Sequence, residues 1–175
     1  MKHLIACTQF DKESLEELLD LAEDMKKNPK KYENAIEGKI VATLFYEPST
    51  RTRLSFESAV QRVGGKIIST ENAKEASSVA KGESLKDTIK IVEGYADAIV
   101  MRHSEDESSE IAANISQVPI INAGAGRKEH PTQALLDMYT IRDKKGKFDG
   151  LKVAISRRFN VWKNNTFFGK IVITI

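Results

Sequence analysis

A single cysteine, Cys7, is all the thiol this chain of 175 residues carries. No internal disulfide can brace the fold, and Cys7 reads as a small buried hydrophobe. Long apolar runs are missing as well: none nears the ~18–20 residues that span a bilayer, which excludes a membrane partner. The opening MKHLIACTQFDKESLEELL has too short an apolar stretch for a signal peptide and turns acidic at once. With one cysteine, that predicts a cytoplasmic protein. His3, His103 and His130 are the only histidines, and their spacing matches no ligand set, so no metal is expected. Acidic residues are absent from 156–175, where Arg157, Arg158, Lys163 and Lys170 more than account for the net charge of +2. The first 155 residues therefore carry a small negative charge and no basic stripe, which excludes nucleic acid as a partner.

A hydrophobic fraction of 41% with 30% charged residues is that of an ordinary globular protein. The length suffices for one well-buried domain, or one plus part of a second. Leu15, Leu18, Leu19, Ala22 and Met25 share one face of a predicted helix over 12–27, with Asp11 or Ser14 as cap. The run Ile40-Val41-Ala42-Thr43-Leu44-Phe45-Tyr46 reads as a buried strand, stopped by Pro48. A helix with Phe56, Ala59, Val60 and Val63 inward follows and closes at Gly64-Gly65. A strand over 66–70 precedes a polar segment over 71–82, too polar for core and too long for an ordinary connection. A helix capped by Ser84, a strand over 97–101 and a short helix over 107–115 come next. A strand over 118–122 is broken by Ala123-Gly124-Ala125-Gly126, and His130-Pro131-Thr132-Gln133 opens a helix through Arg142. Apolar strands alternating with helices predict an α/β fold: a parallel sheet covered on both faces, an αβα sandwich.

In such folds ligands sit beyond the carboxyl ends of the strands. Three polar clusters fall there: Glu47-Pro48-Ser49-Thr50-Arg51-Thr52-Arg53, then Arg102-His103, then the His130 group. The first opens a helix, whose orphan N–H groups and positive dipole end suit an anion. The glycines of a Walker loop or dinucleotide fingerprint are lacking, so no nucleotide cofactor is expected. A serine cap followed by two surface arginines is the plain alternative. A ligand shared by all three clusters is the simplest account. Arg53 and Glu57, at i and i+4, read as a helix-surface pair, and His103 points away from Arg102 if the strand persists.

At these residues the sequence resembles a known family. FYEPSTRTRLSFE is similar to the carbamoyl-phosphate signature of the aspartate/ornithine carbamoyltransferases, and SVAKGES, VMRH and HPTQALLD match its other segments in order and spacing. Glu47 falls where the aspartate branch carries Glu and the ornithine branch Lys. The resemblance implies that Ser49, Thr50, Arg51 and Thr52 hold the phosphate, while Thr52, Arg102 and His130 surround the carbamoyl oxygen. Gln133 would face the carbamoyl NH₂. Arg51, Thr52, Arg102, His130 and Gln133 are thus the expected catalytic set, acting by position and charge with no cofactor. Ser77 and Lys81 would complete a neighbouring subunit's site, which implies a homotrimer; regulatory chains are a further partner the resemblance leaves open.

The family has a second domain for L-aspartate. Here 1–150 reads as the carbamoyl-phosphate-binding domain, and Leu151-Lys152-Val153-Ala154-Ile155 as the first strand of the aspartate domain. The rest, SRRFNVWKNNTFFGKIVITI, departs from the family pattern and offers no aspartate-binding arginines. The expectation is the carbamoyl-phosphate half of an aspartate-type enzyme of pyrimidine synthesis, with weak or no turnover. The alternatives are a non-catalytic binding or assembly module and an ornithine-type transferase.

Overall fold

Helix α1, Lys12–Lys27, forms where the leucine spacing places it, and Asp11 is its cap. The Asp11 carboxylate accepts the Ser14 N–H at 2.8 Å, and the Asp11 N–H donates to the Ser14 hydroxyl at 3.1 Å. This is seen in a computed structural model, which describes residues 1–71, 82–156 and 170–174. The chain divides into two units, Met1–Ala134 and Leu135–Ile175.

The first unit is built on four parallel strands: β1 (Ile40–Phe45), β2 (Lys66–Glu71), β3 (Ala98–His103) and β4 (Ile120–Ala125). Their order is β2-β1-β3-β4. Among the described residues, three further helices lie between them: α2 (Thr50–Arg62), α3 (Leu85–Val92) and α4 (Ser108–Ile115). Ser84 caps α3 through the Asp87 N–H at 3.2 Å, as its position predicts. Strand period 2 sorts the core into two clusters. Ala42, Leu44 and Tyr46 pack with Ile89, Ile99, Met101, Ala112 and Ile120 on the face of α3 and α4. Val41 and Phe45 pack with Val60, Val100 and Ala123 on the face of α2. Phe45, wholly buried, anchors this second face; truncating it to alanine would cost about 3–5 kcal/mol.

Three expectations need correction. The fourth strand does not stop at Asn122; it begins at Ile120 and runs through Ala125. Glycine reads as a breaker, but here the ladder to β3 continues past a register shift, with Met101 opposite Asn122 and His103 opposite Ala125. Cys7 is exposed, in a 3₁₀ turn over Cys7–Gln9, so the surrounding chain offers it no core. The first strand ends at Phe45, one residue short of the apolar run, although Tyr46 stays buried.

Residues 131–134 of helix α5 (Pro131–Lys145) close the first unit. In the second unit α5 continues with Arg142, Lys144 and Lys145 in its last turn, favourable for the dipole. Gly146, at φ 72°, ends it with its N–H on the Arg142 carbonyl at 2.8 Å. Strand β5 (Lys152–Ser156) then pairs antiparallel with β6 (Lys170–Thr174). The polar segment with Ser77 and Lys81, and the tail between these two strands, lie outside the described residues.

Candidate functional site

Strand β1 lies between β2 and β3, and the chain leaves it first toward β2 and then returns on the other side as β3. The carboxyl ends of β1 and β3 therefore flank the switch point of the sheet, where a crevice opens. Phe45 pairs with Arg102 across it, and the Tyr46 N–H donates to the Arg102 carbonyl at 2.9 Å. Four residues of chain separate this point from α2.

Ser49 is the N-cap residue of α2, yet its hydroxyl makes no cap hydrogen bond. The plain reading of a serine cap therefore fails. The first intrahelical bond is Arg53 N–H to Ser49 C=O at 3.0 Å. The amides of Thr50, Arg51 and Thr52 precede it and supply the positive end of the helix.

Alternation along β3 decides which way the two polar residues at its end point. Arg102 has the parity of Val100, on the α2 face. His103 has the parity of Met101 and meets the Tyr46 ring on the opposite face, at 4.5 Å between centroids and 58° between planes. Its Nδ1 accepts the Glu105 N–H at 3.1 Å. His103 thus points away from the Arg102 side, as expected. The buried Nε of Arg102 has no hydrogen-bond acceptor among the described residues; the nearest acid, Glu47 Oε2, is 3.6 Å away.

His130 follows a turn that is pinned to the loop after β3. Gly126, at φ 50°, sits where a Cβ would meet the Asp106 carboxylate, and the Arg127 N–H donates to that carboxylate at 2.7 Å. The Gly126 N–H donates to the His103 carbonyl at 2.9 Å. The His130 carbonyl accepts from Gln133 and Ala134, while its Nδ1 lies 3.4 Å from the Thr132 hydroxyl. Gln133 is exposed in the first turn of α5.

Arg102 and His130 meet over one glycine. A Cβ on Gly124 would lie 3.3 Å from Arg102 Nη1 and 3.5 Å from His130 Cδ2. The guanidinium and the imidazole therefore share a floor. The four motif residues at the start of α2 stand at the neighbouring strand end. Ser77 and Lys81 fall outside the described residues.

Arg53 and Glu57 are not a surface pair. Their side chains are only 22% and 16% exposed, 3.7 Å apart. The Glu57 carboxylate accepts the Ser69 hydroxyl at 2.6 Å and the Thr43 hydroxyl at 3.1 Å. The pair faces β1 and β2, so it fastens α2 to the sheet. Spacing alone could not reveal this, because i and i+4 look the same on either side of a helix. Residues the sequence did not single out are Thr43, Ser69, Asn122 and Gly124; the AGAG run just before the His130 group was the available signal. A cavity of 520 Å³ lined by Leu54, Glu57, Ser58, Gln61 and Arg62 contains none of the predicted site residues. Among the described residues no three His, Cys, Asp or Glu side chains gather as metal ligands. None of the described helices is long and apolar enough to cross a membrane.

Fold and site together define a parallel α/β domain with arginine, imidazole and a helix start gathered at its switch point. Residues 2–143 match the model of the aspartate/ornithine carbamoyltransferase family, carbamoyl-P binding domain. The chain belongs to that family. It is 54% identical over 157 residues to the chloroplastic aspartate carbamoyltransferase of Arabidopsis thaliana, covering 89% of this chain and 40% of the relative. The catalytic subunit of aspartate transcarbamoylase from Methanocaldococcus jannaschii superposes with a TM-score of 0.81 at 54% identity, covering 86% of this chain and 50% of that one. The Trypanosoma cruzi aspartate transcarbamoylase in complex with carbamoyl phosphate and aspartate gives 0.80 at 41% identity, covering 86% and 50%. The chain thus spans about half the length of these relatives or less.

Proposed function

We propose that this chain is the carbamoyl-phosphate-binding half of an aspartate carbamoyltransferase. The observation that carries the reading is the convergence of Arg102 and His130 over Gly124, with the Arg102 Nε buried and lacking an acceptor among the described residues. Such a donor favours an acceptor brought by a ligand. In this reading Ser49, Thr50, Arg51 and Thr52 grip the phosphate, with Arg51 as a charged fork. Thr52, Arg102 and His130 donate to the carbamoyl oxygen, and Gln133 faces the NH₂. When the α-amine of L-aspartate attacks the carbonyl carbon, the C–N bond forms and the π electrons move onto that oxygen. The donors stabilise this charge. The C–O bond to phosphate then breaks, phosphate leaves with the bonding pair, and the amine loses a proton.

The likeness to aspartate enzymes supports aspartate as acceptor, and so does Glu47, whose carboxylate faces Arg102. The family resemblance alone supports a homotrimer in which Ser77 and Lys81 reach a neighbour's site, and the single cysteine is what supports a cytoplasmic location. The proposed domain covers 1–150, with aspartate recognition on segments beyond it; turnover by this chain is expected to be weak or absent. Calorimetry with carbamoyl phosphate and with inorganic phosphate tests the binding half of the proposal. Carbamoyl phosphate must bind more tightly, and equal affinity for the two ligands would overturn it. Turnover with aspartate and then ornithine tests the acceptor; rapid turnover with ornithine alone would contradict the aspartate assignment.

A further inference from the structure

We propose that Asn122 is a positioning residue: through Gly124 it sets the floor on which Arg102 and His130 rest, and so their aim at the carbamoyl oxygen. The inference rests on the carbamoyl-phosphate reading above. Asn122 is wholly buried, and both ends of its amide are used. Its Oδ1 accepts the Gly124 N–H at 2.8 Å, and its Nδ2 donates to the Ile5 carbonyl at 2.9 Å. An N–H on one side and a C=O on the other admit only this orientation of the amide.

Gly124 needs that bond. Its φ of 127° is a conformation other residues rarely take. Between Met101↔Asn122 and His103↔Ala125, β4 has one residue more than β3, so the extra residue stands opposite Arg102. A bulge of this kind re-aims the side chains around it. The Gly124 N–H lies in a buried setting, and without Asn122 it would be an orphaned donor. Relief requires the backbone to turn beneath Arg102 and His130. Arg102 Nη1 stands 3.3 Å and His130 Cδ2 3.5 Å from where a Cβ would be. A rotation of the bulge therefore reshapes the surface that the guanidinium and the imidazole share. The competing account is that Asn122 only ties the N-terminal segment to β4, where Leu4 and Ile5 already meet it.

Two substitutions separate the accounts. Asn122→Ser keeps a hydroxyl able to accept the amide two residues on, but is too short to reach Ile5. Asn122→Ala loses both bonds. In Asn122→Ala, carbamoyl phosphate affinity should fall about tenfold, equivalent to roughly 1.4 kcal/mol, while inorganic phosphate, held at the start of α2, binds as before. The His130 Cδ2–H resonance should move in Asn122→Ala and return in Asn122→Ser. The His3 ring, whose Nδ1 accepts the Ile120 N–H, reports the N-terminal tie and should move in both. Should the alanine variant not fold, Asn122→Cys, a near-isostere of serine with a weak acceptor, takes its place. Identical behaviour of His130 in the two variants, or equal loss of both ligands, would overturn the inference. Equal affinity of the unaltered chain for the two ligands overturns the functional reading instead, and the His130 resonance then decides the positioning role by itself.

Discussion

Replacing Glu57 by alanine distinguishes two accounts of the Arg53–Glu57 pair by size alone. A solvated i, i+4 pair contributes about 0.3–0.5 kcal/mol. Here one carboxylate oxygen receives Ser69 at 2.6 Å and Thr43 at 3.1 Å and stands 3.7 Å from Arg53. Hydrogen bonds to a charged group contribute about 1.5–3 kcal/mol each. The loss is not the full sum, because the single Thr43 hydroxyl proton can go either to Glu57 or to the Ser69 oxygen 2.9 Å away, and the Ser69 partner remains after truncation. The Arg53 guanidinium, mostly shielded from water, loses its carboxylate. Together these give an expected loss of about 2–3 kcal/mol, against about 1 kcal/mol for Glu57→Gln, which keeps the shape and an acceptor. Urea unfolding followed by far-ultraviolet circular dichroism measures both, with the slope unchanged if only stability moves. A loss below about 0.5 kcal/mol for the alanine variant would refute the anchoring argument and return the pair to the surface.

Other consequences are equally direct. Arg102→Ala should weaken carbamoyl phosphate by about 10–100-fold in calorimetry and leave inorganic phosphate unchanged, because the guanidinium is assigned to the carbamoyl oxygen. Gly124→Ala adds a methyl 3.3 Å from Arg102 at a φ of 127°; thermal melts should show a loss of about 1–3 kcal/mol from backbone strain alone. Asp24 accepts from Lys31, Tyr32 and Asn28, and those bonds hold its carboxyl below the usual 3.8. A lowered acid stabilises the fold above its unfolded pKa and loses that contribution as pH falls through the folded value. Asp24→Asn should therefore lower the melting temperature at pH 7, with the gap closing below about pH 4; a constant gap across that range would contradict the assignment.

Most of the architecture was open to reading because it depends on period. The strand run over 40–46 and the leucines of 12–27 commit to their elements locally, and the same alternation places Arg102 and His103 on opposite faces. The misreadings share a different cause. Gly124 reads as a breaker because its role depends on a partner strand and on the Asn122 side chain, neither visible along the chain. Glu57 reads as surface because nothing in its spacing says that Thr43 and Ser69, 14 and 12 residues away, lie beneath it. Cys7 reads as core by residue type, but the turn over Cys7–Gln9 leaves it in solvent.

What the three donor groups have in common is that each is fastened before any ligand arrives. Helix α2 is held on the sheet through Glu57, two turns past its start, on Thr43 and Ser69. Arg102 grows from a strand paired on both sides. His130 leaves a turn closed by the Asp106 carboxylate on the Arg127 N–H and by the Gly126 N–H on His103. Donors that stabilise developing charge are effective when their orientation is set on folding, so that no reorganisation accompanies the reaction. In this fold the setting is done by hydroxyl–carboxylate and amide–carboxylate bonds behind the site, at residues that touch no ligand in the proposed reading. Removing such an anchor should therefore cost stability and carbamoyl phosphate affinity together, whereas removing Arg102 itself should cost affinity with little change in the melt. The correlation between the two losses across anchor variants, and its absence at Arg102, is the signature of a rim whose geometry is fixed by the fold.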